Sequence, residues 1–247
     1  MLIRLLRPLL RVLGHDIHPR QSFHHGSWQD IAHVLRGVGR PIVLDVGANV
    51  GQTAEAILAH LPRAKLHCFE PGSEAFAQLE KALPVLDAEA CAHRLALGAQ
   101  PGTQQLRVNK LSVTSSLLAA APAAGEHLGD SMDVYRVENV EVTTIARWCS
   151  QQGIDHVHLL KTDCQGFDLE VLRGAEPLLA DGRINVVQCE MLFSQLYAGQ
   201  ACADEIMTFM RRLGFRLFEF YDPYHREDGS LRWADAVFVC SQNSDPA

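Results

Sequence analysis

The chain has 247 residues, 47% of them apolar, with 22 Lys and Arg against 29 Asp and Glu and a formal charge of −7. That length suits one generous domain, or one domain with a short N-terminal addition. The negative balance repels polyanions and no basic patch offsets it, so nucleic acid is excluded as an expected partner. The seven cysteines are an odd set without zinc-ligand spacing. Cys68, Cys91, Cys189 and Cys240 fall in predicted strands, where a reduced thiol is a small apolar side chain, a usage that fits the cytoplasm.

Residues 1–40 read as an N-terminal helical segment, ahead of a main domain spanning 41–247. Met1 to Leu13 interleaves leucines with Arg4, Arg7 and Arg11 and contains Pro8, so it reads as neither a signal-peptide core nor a membrane span. Packing on the domain, or on a second subunit in a homodimer, is favoured. The alternative is weak contact with an anionic membrane, peripheral to its inner face. Trp28 to Leu35 follows as a helix expected over the mouth of a site.

Ile42 to Val46 is a short apolar run with β-branched residues, and from Gln52 the spacing becomes helical through Ala54, Ile57, Leu58 and Leu61. Between them lies a nucleotide-binding turn. Gly47 and Gly51 keep side chains away from a ligand, and Asn49 tolerates a left-handed backbone. Gly47, Ala48, Asn49, Gly51, Gln52 and Thr53 are candidate cofactor contacts. A dinucleotide site would present G-x-G-x-x-G. Here the order is Asp-x-Gly-x-Asn-x-Gly, and Asp45 ahead of the first glycine repels a pyrophosphate but suits a cation such as S-adenosylmethionine. The next strand, Lys65 to Phe69, delivers Glu70 and Pro71 about 20 residues past the loop, where an acid takes ribose hydroxyls in either cofactor class.

Helix Ser73 to Leu83 leads to a strand from Ala90 to Leu97, whose Leu95 and Ala96 join the cofactor set. Short strands Gln104 to Val108 and Asn139 to Thr143 flank a polar insertion, Asn109 to Glu138. The insertion reads as a mobile lid, with Ser115 and Ser116 near the cofactor mouth. Then come helix Thr144 to Gln152, strand Val157 to Lys161, helix Phe167 to Leu172, strand Asn185 to Cys189 and helix Asp204 to Leu213. Strands Phe215 to Tyr221 and Ala236 to Cys240 close the chain as a hairpin. This alternation describes a doubly wound sheet.

Three segments together resemble a known family. Asp45-Val46-Gly47-Ala48-Asn49-Val50-Gly51, Cys68-Phe69-Glu70-Pro71 and the run from Leu160 to Ala175 are similar to the successive motifs of FkbM-type methyltransferases, and the likeness runs from about Pro41 to about Cys240. It implies a class I methyltransferase (Rossmann-like) α/β fold, with a mostly parallel seven-stranded sheet and the C-terminal antiparallel hairpin. It also implies use of S-adenosylmethionine, with S-adenosylhomocysteine as product, and O-methylation, often of sugar hydroxyls. Gln165 and Asp168 both stand where the family usually has Glu.

Chemistry in such a sheet lies at the carboxyl ends of the central strands. Asp163 and Glu190 follow adjacent strands there. A hydroxyl acceptor is too weak an acid to ionise freely, so a positioned base is expected, with Asp163, Glu190 and His225 as catalytic candidates. Asp163 stands equally as a cofactor contact or a helix cap, Glu190 as a substrate hydrogen-bond partner, and His225 as an exposed loop residue. No metal site is assigned: His24 and His25 are adjacent and diverge, while His156 and His158 share a buried strand. The expected acceptor is a sugar hydroxyl of a glycan, glycolipid or glycosylated metabolite. A non-sugar natural product, and a non-catalytic cofactor-binding module, are the alternatives.

Overall fold

The computed structural model describes residues 26–86, 89–122 and 129–241. Its backbone is a seven-stranded sheet of order β3-β2-β1-β7-β8-β10-β9. The strands are β1 (Ile42–Val46), β2 (Lys65–Phe69), β3 (Cys91–His93), β7 (Val157–Thr162), β8 (Ile184–Leu192), β9 (Phe215–His225) and β10 (Leu231–Cys240). β1 pairs in parallel with β2 and β7, and β8 with β7, whereas β10 runs antiparallel to both β8 and β9. This is the doubly wound, mostly parallel sheet that the alternating pattern predicts, with the antiparallel hairpin at its C-terminal end.

The central strands are apolar runs because both of their faces are covered. Val43, Leu159, Val186 and Val237 pack under α1 (Ser27–Val34), α2 (Gln52–His60) and α3 (Ser73–Leu86). Leu44, Leu160, Val187 and Phe238 pack under α4 (Ile145–Gln152), α5 (Asp168–Gly174), α6 (Glu176–Ala180) and α7 (Ala203–Arg212). Local chemistry sets the helix ends: Thr144 caps α4 by accepting from the Arg147 N–H at 3.1 Å, and Gly153 ends it at φ 66°.

Three expectations are corrected. The strand from Ala90 to Leu97 is two strands, because the chain turns at Arg94, where the Leu95 N–H reaches the His93 carbonyl at 3.0 Å. β3 joins the main sheet, while β4 (Ala96–Leu97) enters a second sheet of order β4-β6-β5 with β5 (Gly102–Asn109) and β6 (Val134–Thr143). The insertion is thus strand only at its ends, where β5 reaches Asn109 and β6 begins at Val134, with short 3-10 turns at Ser112–Thr114 and Gly129–Met132 between them. Its Ala-rich part is anchored as well: the Ala121 N–H donates to the Leu196 carbonyl at 2.8 Å and the Ala198 N–H to Ala119 at 2.7 Å. The rest of the expected lid, 123–128, lies outside the described residues.

The terminal hairpin is longer than expected and absorbs most of the segment between Asp222 and Trp233 through bulges near Trp233. Helix α1 is present but does not cover the site. Ile31 packs with Ala54 and Ile57 of α2, and the Asp30 carboxylate accepts from the Tyr221 hydroxyl at 2.7 Å. The basic segment Met1 to Leu13 lies outside the described residues. Among those described, no helix is long and apolar enough to cross a membrane.

Candidate functional site

The turn after β1 is built by backbone crossings. The N–H groups of Gly47 and Ala48 both donate to the Phe69 carbonyl at 3.0 Å, and the Asp163 N–H donates to the Val46 carbonyl at 3.0 Å. Gly47 sits at φ 81°, and a Cβ there would lie 2.0 Å from the Asp163 carbonyl oxygen. Only glycine lets the β1 and β7 loops pass this closely. Asn49 takes the left-handed φ of 47°, which turns its N–H onto Glu70 Oε2 at 3.0 Å.

Above this turn opens a cleft of about 820 Å³, counting the solvent space at its mouth. Gly47, Asn49, Gln52, Thr53, Glu70, Pro71, Leu95, Ala96, Ser115 and Asp163 line it, so ten of the sequence-derived cofactor residues come together here. Leu97, Leu106, Val113, Leu117 and Phe167 give it an apolar wall that the sequence reading missed. Much of that wall comes from the second sheet and its connecting turn, whose approach depends on pairing between distant segments.

Glu70 is buried beside the cleft, with Oε1 accepting from the Gly72 N–H at 2.7 Å and Oε2 from Asn49. Burial pushes its carboxyl up to about 7, against the pull of these two N–H groups. Glu70 leaves β2 on one side of β1, and Asp163 leaves β7 on the other, so the two carboxyls face each other across the Gly47 turn.

Three of the expected cofactor residues stand back from the cleft. Ala48 and Gly51 shape the turn from behind. Asp45 is fully buried beneath it and forms an ion pair with Lys161 Nζ at 3.2 Å, without hydrogen-bond alignment. Burial pushes the Asp45 carboxyl up, and Lys161 opposes that shift. The correction has a physical cause: Asp45 and Lys161 are register partners inside the sheet, and a buried ammonium takes the nearest carboxylate. The direct contact with a cationic ligand assigned to Asp45 therefore has no counterpart in the lining. The exposed carboxylate at that end is Asp163, whose Oδ2 lies 3.7 Å from Lys161.

Of the catalytic candidates, Asp163 and Glu190 come together and His225 does not. The Gln165 amide donates to Asp163 Oδ1 at 2.8 Å and to Glu190 Oε2 at 3.2 Å. His225 is exposed at the end of β9, opposite Leu231, and does not line the cleft. Burial pushes the Glu190 carboxyl well above the carboxylate range, and Asp163, Asp168 and Asp235 add to this while Lys161 opposes it. Asp168 begins α5, accepts from the Cys164 N–H at 3.2 Å and is pushed up to about 7, chiefly by burial.

Sequence reasoning also missed Tyr197, Asp235 and Lys161, and it noted Gln165 only as a departure from family pattern. The Tyr197 hydroxyl donates to Gln165 Oε1 at 2.7 Å, and Asp235 sits opposite Glu190 across the β8–β10 ladder. Lys161 alone carried a signal, as a lysine closing an otherwise apolar strand.

Comparison with known proteins gives the family. The Methyltransferase FkbM domain matches residues 45–217, which is most of the chain. The 2-O-methyltransferase NoeI of Sinorhizobium fredii is 27% identical over 166 residues, covering 65% of this chain and 67% of NoeI. Methyltransferase sdnD of Sordaria araneosa is 27% identical over 158 residues, covering 55% of this chain and 61% of sdnD. A crystallised FkbM methyltransferase from Methylobacillus flagellatus aligns with TM-score 0.48 and 12% identity, over 81% of this chain and 43% of that one. The chain thus spans less than half of the crystallised protein, and the assignment rests on the domain match. The chain belongs to the FkbM methyltransferase family, a family of S-adenosylmethionine-dependent enzymes.

Proposed function

We propose that this protein transfers the methyl group of S-adenosylmethionine to a hydroxyl oxygen, and that the acceptor is a sugar. The residues of the cleft fit the cofactor. Both oxygens of Glu70 are anchored by backbone N–H groups and keep lone pairs for ribose hydroxyls. The wall of Leu97, Leu106 and Phe167 suits a base ring, and Asp163 supplies a carboxylate toward the cationic end. When bound, the cofactor supplies an electrophilic methyl group on a sulfonium.

The observation that carries the reading is Asp163 in the lining of the cleft, joined through Gln165 to Glu190 just beyond that lining. A hydroxyl entering there must lose its proton as the new C–O bond forms, and the nearness of two carboxyls supports them as its acceptors. The sugar preference is supported by exposed aromatic surface along the same edge, where Tyr224 stacks on Trp233 at 4.1 Å between ring centroids. The NoeI name, a 2-O-methyltransferase, supports transfer to oxygen. The test is release of S-adenosylhomocysteine in the presence of a panel of free sugars, glycosides and non-sugar alcohols. Turnover with glycosides supports the proposal, and turnover confined to non-sugar alcohols removes the sugar assignment.

A further inference from the structure

Gln165 lies at φ 53°, a conformation that is costly for a residue with a side chain. Its side-chain amide and its carbonyl are fully engaged. Its two amide hydrogens go to Asp163 and Glu190, its amide oxygen accepts from Tyr197, and its carbonyl accepts from the Ser116 hydroxyl at 2.8 Å. The amide orientation is fixed by its partners, because two carboxyls can only accept from the NH₂ end. An amide brings two donors and no charge, so it binds two carboxylates without becoming a third. A glutamate in its place would face two like groups with oxygens only.

The surroundings of Glu190 are mostly acidic. Asp163, Asp168 and Asp235 face it from β7, α5 and β10, with Tyr197 above and Lys161 as the one cation, already shared with Asp45. Burial among these carboxyls favours the protonated form of Glu190 in the empty site. A cation placed at the Asp163 end removes the reason to keep the proton.

We propose that Gln165 is a positioning residue that ties the Glu190 carboxyl to Asp163 as a pair in which Glu190 holds a proton, and that a bound sulfonium cation discharges this proton to solvent. The inference rests on the cofactor assignment above. Glu190 is then a carboxylate, and so able to accept a proton, only when a methyl donor is present. During transfer the hydroxyl proton passes to the pair, the oxygen–carbon bond forms, and the electrons of the sulfur–carbon bond stay on sulfur. The pair ends protonated beside a neutral thioether, which is its resting state with no cation bound.

The test is isothermal titration calorimetry of the full chain at pH 7 with S-adenosylmethionine and with S-adenosylhomocysteine. Each is run in phosphate and in Tris, whose ionisation enthalpies differ, so that protons released on binding can be counted. Each measurement is repeated on Glu190→Gln, so that protonation of the ligand's own amine cancels. For S-adenosylmethionine, wild type should release roughly 0.5 to 1 proton more than Glu190→Gln, and for S-adenosylhomocysteine the two proteins should agree. Gln165→Met removes both donors at similar length and should move the pH midpoint of that extra release upward by about one unit. Equal counts in wild type and Glu190→Gln, with both ligands bound, overturn the proposal alone. Failure of wild type to bind either ligand overturns the cofactor assignment and the proposal with it. An unmoved midpoint in Gln165→Met, in a protein whose melting temperature matches wild type, removes the role given to Gln165.

Discussion

At the residue scale, Glu70 binds best as a carboxylate, since ribose hydroxyls donate to it, yet burial holds its empty-site pKa at about 7. Below that value the empty site carries a neutral acid that must ionise before it can accept. Affinity for S-adenosylhomocysteine should therefore fall as pH drops below 7, by up to about tenfold per unit. Glu70→Gln should bind weakly throughout, losing about 1.5–3 kcal/mol at pH 8, and show little of this dependence. Calorimetric titrations between pH 5.5 and 8.5 check both. A flat affinity profile in wild type would remove Glu70 from the ribose site.

At the element scale, the site depends on how closely the β1 turn and the β7 loop cross. Gly47→Ala places a methyl group 2.0 Å from the Asp163 carbonyl oxygen at a positive φ. The loops must separate, at a cost of about 3 kcal/mol or more. Thermal unfolding should show a melting temperature lower by roughly 6–12 °C. An unchanged melting temperature would mean that the crossing is not tight in solution. These same elements were the most legible in the sequence. β1 and β2 were read to the residue and the body of β7 within one, because strands covered on both faces are mostly apolar runs that here end just before a glycine or an acid. The β3–β4 break was not legible, since Arg94 and Leu95 carry no glycine or proline to mark a turn. The extension of β9 through Asp222 and Pro223 was hidden as well, because an edge strand accepts residues that a central strand refuses. Glu70 and Asp163 could be placed because each directly follows a strand. Tyr197 and Asp235 could not, because only the assembled sheet and the loop after β8 bring them to Gln165 and Glu190.

At the scale of the whole molecule, stability should reflect ionisable groups that titrate in opposite senses. Burial pulls His67 down to about 4, so the folded state binds fewer protons there than the unfolded chain. Its contribution is present above pH 6.5 and is lost as pH falls from 6.5 through 4. Asp168 is raised to about 7, so its contribution is full below the ordinary carboxylate range and is lost as pH rises through 7. His67→Leu removes only the first term. The melting temperature of His67→Leu relative to wild type should rise between pH 7.5 and pH 5, and a difference that stays constant across that range contradicts the assignment. That Asp163 and Glu190 act on the acceptor hydroxyl rather than on the fold is tested by Asp163→Asn and Glu190→Gln. The measurement is transfer of labelled methyl from S-adenosylmethionine to a glycoside that wild type accepts, with cofactor affinity measured alongside. The expected result is turnover lower by about 10² to 10⁴-fold in at least one variant, with cofactor affinity within about tenfold of wild type. Near-normal turnover in both variants, with cofactor still bound, would contradict it.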